Sequence, residues 1–190
     1  MGHYDPEFHH RRSIRLKGYD YTQPGAYFVT LIVQNRRELF EEIVDGHITL
    51  SEIGNLVRAT WLKLPASHPI RLDEWGIMPE HLHGIIWIMG EGRGEAFGNE
   101  SFETSATLKP NASPQRPRGT QPRSLNAIIQ NFKSISTRKI NAALKTPGEN
   151  IWQRDYFERI IRDERELNAI RQYIRDNPRR WEQDRERWDR

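Results

Sequence analysis

His81, Leu82 and His83 open the run HLHGIIWIM at residues 81–89. Side chains two apart on a β-strand project to the same face. Both imidazoles therefore stand side by side if this run is a strand, and Leu82 enters the opposite face. Two adjacent neutral imidazoles make half of a site for a divalent cation; two histidines can also simply share a packed or solvated face. A second pair, Tyr173 and Asn177, lies near the C-terminus. Residues four apart on a helix share one face, about one turn from each other. The Asn carbonyl suits a hard cation, and the Tyr phenol can serve as a covalent nucleophile. The ordinary uses of these types are a tyrosine at the rim of a core and an asparagine that stops a helix before Pro178. Tyr156 is the competing tyrosine. It lies in a strand-like stretch beside Trp152 and Phe157, lacks an amide partner one helical turn on, and reads as core or rim. His3, His9, His10, His47 and His68 have no ligand-like partner and read as surface residues, those near the N-terminus within reach of phosphate.

Several elements must position these groups. Ala26–Gln34 is aromatic and β-branched and reads as a strand. Asn35–Asp45 reads as a polar connection. Ser51–Leu64 predicts a helix, capped by Ser51, with Ile53, Leu56, Val57, Trp61 and Leu64 at helical spacing and Pro65 as its stop. Ile70–Met78 and His81–Met89 predict two strands. Ser124 opens a long helix whose apolar stripe is Leu125, Ile128, Ile129, Phe132, Ile135 and Ile140. Lys133, Arg138 and Lys139 lie off that stripe, and Pro147-Gly148 ends the helix. Ile151–Ile161 predicts a fourth strand. Asp163, with Glu166 three residues on, is a capping box for a helix over Glu164–Asp176, which Asn177-Pro178 should end. The order β-α-β-β-α-β-α predicts an α+β sandwich with helices on a mostly antiparallel sheet.

The 190 residues argue for one domain. The expected division is a basic N-terminal arm over 1–20, a single domain over 21–181 and a charged tail over 182–190. A flexible, Gly- and Pro-rich insertion at about 90–123 interrupts the domain. The chain has no cysteine, which excludes disulfides, thiolate metal sites and a cysteine nucleophile. No apolar run reaches membrane-spanning length and Met1–Arg15 has no apolar core of a signal peptide, so the expectation is a soluble, cytoplasmic protein. Positive charge concentrates in the middle: residues 101–150 carry eight Lys and Arg against two Asp and Glu. That is expected of a surface meeting polyphosphate, and equally of a solvated basic loop and helix.

Taken together, these pieces resemble the IS200/IS605-type single-stranded DNA transposases, which carry a histidine–hydrophobic–histidine motif and a tyrosine nucleophile. The closest likeness is to the REP-associated tyrosine transposases. The resemblance rests on His81-Leu82-His83 in PEHLHGIIWI, on Trp152-Gln153-Arg154 leading through Tyr156 to Arg171-Gln172-Tyr173-Ile174 and Asn177-Pro178, and on the run from Ser124-Leu125 to Phe132-Lys133-Ser134. It covers about residues 11–181 apart from the insertion. It implies a ferredoxin-like, RRM-related sandwich with the histidines on a central strand. It also implies that His81 and His83 bind Mg²⁺ or Mn²⁺, that Tyr173 is the catalytic nucleophile, and that Asn177 takes the place of a third ligand that is often Gln in insertion-sequence members.

The implied activity is a metal-dependent DNA nickase and strand transferase acting next to REP-like hairpins through a 5′-phosphotyrosine, as a monomer or a homodimer. Arg11, Arg12, Arg15 and Lys17 of the arm and Lys133, Arg138 and Lys139 of the helix are the expected DNA contacts, and no membrane partner is implied. The alternative is a catalytically inactive protein that binds hairpin or single-stranded nucleic acid. The presence of both histidines, the tyrosine and the amide favours the enzyme. A replication-initiator nickase of the same superfamily is usually joined to further domains, for which this chain has no room.

Overall fold

The computed structural model describes residues 18–44, 47–90 and 120–188. The expected DNA contacts Arg11, Arg12, Arg15 and Lys17 lie outside the described residues, as does nearly all of the 90–123 insertion. The chain begins with β1 (Gly25–Ile32), a single 3-10 turn at Gln34–Arg36, and the strands β2 (Glu41–Val44) and β3 (His47–Leu50). Helix α1 (Glu52–Leu62), a short turn of helix α2 (Leu64–Ser67), β4 (Ile70–Met78) and β5 (His81–Ile88) follow. The last elements are α3 (Leu125–Leu144), β6 (Phe157–Ile161) and α4 (Glu164–Trp188).

Four strands form one sheet in the order β4-β5-β1-β6, and every neighbouring pair is antiparallel. Apart from the β2–β3 hairpin, the path is β-α-β-β-α-β with the first and third of these strands in the centre. This is the ferredoxin-like arrangement, with α4 added at the end. Period-two alternation gives each central strand two buried faces. Tyr27, Val29 and Leu31 of β1 and Leu82, Ile86 and Ile88 of β5 pack with Val57 and Trp61 of α1 and Ile128, Ile129 and Phe132 of α3. On the other face, Ala26, Phe28, Ile85 and Ile161 pack under Leu167, Ile170 and Ile174 of α4. Among the described residues no helix is long and apolar enough to cross a membrane.

The helix starts follow side-chain chemistry. Ser51 Oγ accepts from the Gly54 amide at 3.0 Å and Ser124 Oγ from the Ala127 amide at 3.2 Å, each satisfying a donor the first turn leaves unpaired. At α4, Asp163 Oδ1 accepts from the Glu166 amide at 2.7 Å, while Glu166 Oε2 reaches back to the Arg162 amide at 2.9 Å. Helix α3 ends at Lys145, whose φ of 56° is left-handed.

Five expectations are corrected. The segment expected as a polar connection contains β2, which pairs with β3 from Glu41↔Leu50 to Val44↔His47; a two-stranded hairpin off the main sheet needs only a short apolar pattern. The first helix ends at Leu62, and Pro65 belongs to α2 instead of stopping α1, because proline is tolerated in a first helical turn. The fourth strand covers only Phe157–Ile161; Ile151 and Trp152 are buried but join the sheet only through an isolated Val33↔Trp152 bridge. Helix α4 does not stop at Asn177. Pro178 lacks the N–H that would bond the Ile174 carbonyl, yet the helix runs to Trp188, with that carbonyl facing β4 at Gly76. Residues 182–188, expected as a charged tail, accordingly belong to α4.

Gly84 sets how closely α1 approaches the sheet. A Cβ there would lie 2.6 Å from Trp61 Cζ2 and 2.9 Å from Trp75 Cβ. The Trp61 indole therefore rests on bare β5 backbone. Overpacking of this kind typically costs about 1–3 kcal/mol, and Gly84→Ala should lower the unfolding free energy by that amount in a urea titration, without changing the denaturant slope.

Candidate active site

β5 lies between β4 and β1, and its antiparallel register sets His83 opposite Thr30 and Gly76, and His81 opposite Ile32 and Met78. The strand period turns both imidazoles to the face that α4 covers. Their ring centroids are 4.5 Å apart. His83 is only 1% exposed, with Phe28 stacked at 6.1 Å on one side. Ile170 and Ile174 seat α4 on Phe28 and Ile85. That seating carries the Tyr173 ring to 5.6 Å from His83 and 6.1 Å from Phe28. Tyr173 remains 40% exposed, so it is both anchored against the sheet and open to an incoming ligand. Asn177, one turn further, is buried against His83. The four residues singled out for chemistry thus meet within one chain.

Burial dominates the electrostatics here. It lowers His81 to about 3, with His83 and the Arg36 guanidinium adding repulsion. It lowers His83 to about 4, against an upward pull from the Asn177 amide. Both rings are neutral at physiological pH, the form in which imidazole donates a lone pair to a metal. Asn177 lies beside His83 but outside hydrogen-bond geometry, and both ring nitrogens of His83 are buried without a hydrogen-bond partner among the described residues. An unsatisfied buried polar atom is costly, and a cation held by His81, His83 and the Asn177 amide oxygen would relieve that cost. Among the described residues no group of three His, Cys, Asp or Glu could hold a metal, and the polar group nearest to joining the pair is the Asn177 amide beside His83. The donors present therefore fit a divalent ion.

Sequence reasoning overlooked three acids near this site. Glu80 precedes the histidine pair, 3.8 Å from His81 Nδ1, and accepts from Arg36 Nη1 at 2.6 Å. Asp73 and Glu74 hold Arg171 and Arg175 of α4. Adjacency to the motif would have signalled Glu80. Asp73 and Glu74 have no local signal, because their partners lie about a hundred residues away.

The basic helix is on the other side of the molecule. Helix α3 packs with α1 against the sheet face opposite the histidines. Lys133 Nζ donates to the carbonyls of Gln153, Arg154 and Asp155 at 2.8, 3.3 and 3.1 Å and lies 5.4 Å from the Tyr156 ring centroid. All three of its donors thus stabilise the turn before β6. Lys139 Nζ donates to Thr60 Oγ1 at 3.1 Å, whereas Arg138 is exposed and donates to the Ser134 carbonyl of its own helix. Tyr156 packs against the α1–α3 core, away from the histidine pair.

Comparison with known proteins gives a consistent picture. Residues 119–177 match the family model "Transposase IS200 like", a span that includes Tyr173 and Asn177. The chain is 39% identical over 182 residues to an uncharacterised protein of Haemophilus influenzae, covering 95% of each chain. It is 24% identical over 159 residues to a putative REP-associated tyrosine transposase of the same organism, covering 84% of this chain and 73% of that one. Among solved structures, a REP-associated tyrosine transposase bound to a REP hairpin superposes with a TM-score of 0.57 at 18% identity, covering 88% of this chain and 74% of the other. That likeness establishes the fold.

Two outcomes follow from the geometry. Folding holds both histidines below the unfolded value of about 6.5. The unfolded chain therefore binds more protons once pH falls below that value, and stability is full above it and declines as pH drops towards about 4. Each histidine contributes up to about 1.4 kcal/mol per pH unit. His81→Gln/His83→Gln should flatten the decline between about pH 6.5 and 5 in urea titrations, a window above the ordinary carboxylate range. Lys133→Ala leaves three carbonyls without their charged donor, so it should lower the thermal midpoint and cost about 1–3 kcal/mol, whatever its effect on nucleic-acid affinity.

Proposed function

This chain belongs to the IS200-like transposase family, and we propose that it is a metal-dependent single-stranded DNA endonuclease and strand transferase that works beside REP-type hairpins through a 5′-phosphotyrosine intermediate. The observation that carries the reading is the convergence of Tyr173, Asn177 and two neutral histidines on one sheet face. The solved relative bound to a REP hairpin supports the choice of substrate. Action on chromosomal DNA would set this work in the cytoplasm.

In this mechanism His81, His83 and Asn177 would hold Mg²⁺ or Mn²⁺. When bound, such an ion would supply Lewis-acid polarisation of the scissile phosphate and offset charge in the transition state. Neutral ligands leave the cation its full charge for that purpose. The exposed edge of Tyr173 admits the phosphodiester, while its packing against Phe28 and His83 restricts where the hydroxyl can stand. The phenol oxygen attacks phosphorus and loses its proton; a Tyr–O–P bond forms, the P–O3′ bond breaks, and the departing 3′ oxygen takes up a proton. The covalent link retains the energy of the broken phosphodiester, so a 3′-OH can later attack it and rejoin the strand without a nucleotide cofactor. Arg138, Lys139 and the arm residues Arg11, Arg12, Arg15 and Lys17 contribute phosphate contacts, which position the strand and make affinity salt-dependent. Lys133 acts mainly through the turn it supports.

The test is a denaturing gel of protein incubated with a 3′-labelled hairpin oligonucleotide and Mn²⁺. Wild type should carry label, and a chelator should abolish it. Tyr173→Phe should fold and bind yet form no adduct, whereas Tyr156→Phe should retain it. His81→Ala/His83→Ala should reduce adduct formation by orders of magnitude. Labelled Tyr173→Phe with unlabelled Tyr156→Phe would reverse the tyrosine assignment, and hairpin binding without any wild-type adduct would leave a binding protein only.

A further inference from the structure

The β4–β5 register jumps between Leu72↔Ile86 and Trp75↔Gly84, so β4 carries one extra residue at a bulge formed by Asp73 and Glu74. Successive residues of a regular strand point to opposite faces, and only one of two adjacent acids could then reach α4. The bulge breaks that alternation, and both reach it. Asp73 Oδ1 accepts from Arg171 Nε at 2.8 Å and Oδ2 from Arg171 Nη2 at 2.7 Å, a fork-to-fork pair. Trp87 Nε1 donates to the same carboxylate at 3.0 Å and the Glu74 amide at 2.8 Å. Glu74 Oε2 accepts from Arg175 Nε and Nη2 at 3.0 and 2.9 Å. Arg171 and Arg175 are one helical turn apart, and Tyr173 lies between them in sequence.

We propose that Asp73 and Glu74 are positioning residues: the β4 bulge and its two ion pairs set the rotation and axial position of α4, and through it where Tyr173 stands over the histidine pair. The inference rests on reading Tyr173 as the nucleophile. Beneath the helix, Leu167, Ile170 and Ile174 meet an apolar sheet face. Such contacts are non-directional and hold α4 down without choosing one register. The bidentate Asp73–Arg171 pair is directional, and its carboxylate is nearly buried, with side-chain exposure of 8%. The helix also lies close over β4 at Gly76, where a Cβ would be in van der Waals contact with Ile174 Cγ2 at 3.6 Å. A displacement of about 1 Å in a reacting group can cost about a hundredfold in rate, so a helix that slips on its apolar seat loses chemistry before it loses the fold.

Site-specific 3-fluorotyrosine at Tyr173, read by ¹⁹F NMR, reports ring position independently of cleavage; unlabelled protein supplies the single-turnover adduct rate and the hairpin affinity. Asp73→Asn keeps the shape and removes the charge. It should move the resonance towards that of free fluorotyrosine and slow adduct formation at saturating oligonucleotide by about tenfold or more, with hairpin affinity unchanged. Glu74→Arg, at the more exposed pair, should do the same to a smaller degree, and Glu74→Arg/Arg175→Glu should restore both readouts. If Asp73→Asn does not fold, the Glu74→Arg and charge-swapped proteins decide. Wild-type resonance and rate in Asp73→Asn, or no recovery in the charge swap, overturns the proposal. A helix displaced in the ¹⁹F spectrum of a protein whose wild type forms no adduct would overturn the nucleophile reading while upholding the clamp.

Discussion

The two-residue period of β5 is the constraint from which the rest follows. Leu82, Gly84, Ile86 and Ile88 face α1 and α3, and His81, His83, Ile85 and Trp87 face α4 or the surface beside it. A one-residue slip would exchange these sets. Leu82 and Ile86 would leave the larger core, and His83 would replace the bare backbone on which Trp61 rests. Two covered faces with different demands therefore determine the register, and the register determines where the imidazoles stand.

Burial then gives the histidines their chemistry. Covering β5 with α4 removes water from His83, and desolvation is the first cause of the depressed values of both rings. Two neutral imidazoles, one with no hydrogen-bond partner for either nitrogen among the described residues, thus stand at the point the Tyr173 ring overlooks. The same helix supplies the cover, the amide and the phenol. Its apolar side seats it, and its arginine flank ties it to the edge strand. The sheet thus separates two roles: α1 and α3 complete the larger core on one side, and α4 builds the site on the other.

Much of this was legible locally. The His81–His83 pair on one face, the strands beginning at Ile70 and His81, and the Ser51, Ser124 and Asp163 caps each depend on residues within a few positions of one another. The elements misread were those where a distant partner overrules a local preference. Ile151 and Trp152 look like the start of a strand, yet Trp152 Nε1 donates to Ser136 Oγ and Lys133 gathers the next three carbonyls into a turn. Asn177-Pro178 looks like a stop, yet α4 continues past it to Trp188. Lys133 looked like a free cation on a basic helix because the carbonyls it serves belong to a turn some twenty residues on.

By itself, the sequence determined which residues could act as ligand and nucleophile, that the two histidines share a strand face, and that Tyr173 and Asn177 share a helical one. These are properties of period and residue type, which local backbone geometry dictates. Only the tertiary structure decided that the two faces meet within one chain, that burial keeps both imidazoles neutral, and that α3 lies across the sheet from them. It also decided that a bulge places two adjacent acids where two arginines of α4 can be held. Each of these depends on packing between segments far apart in the chain, and a directional contact across that distance leaves no periodic trace in either segment.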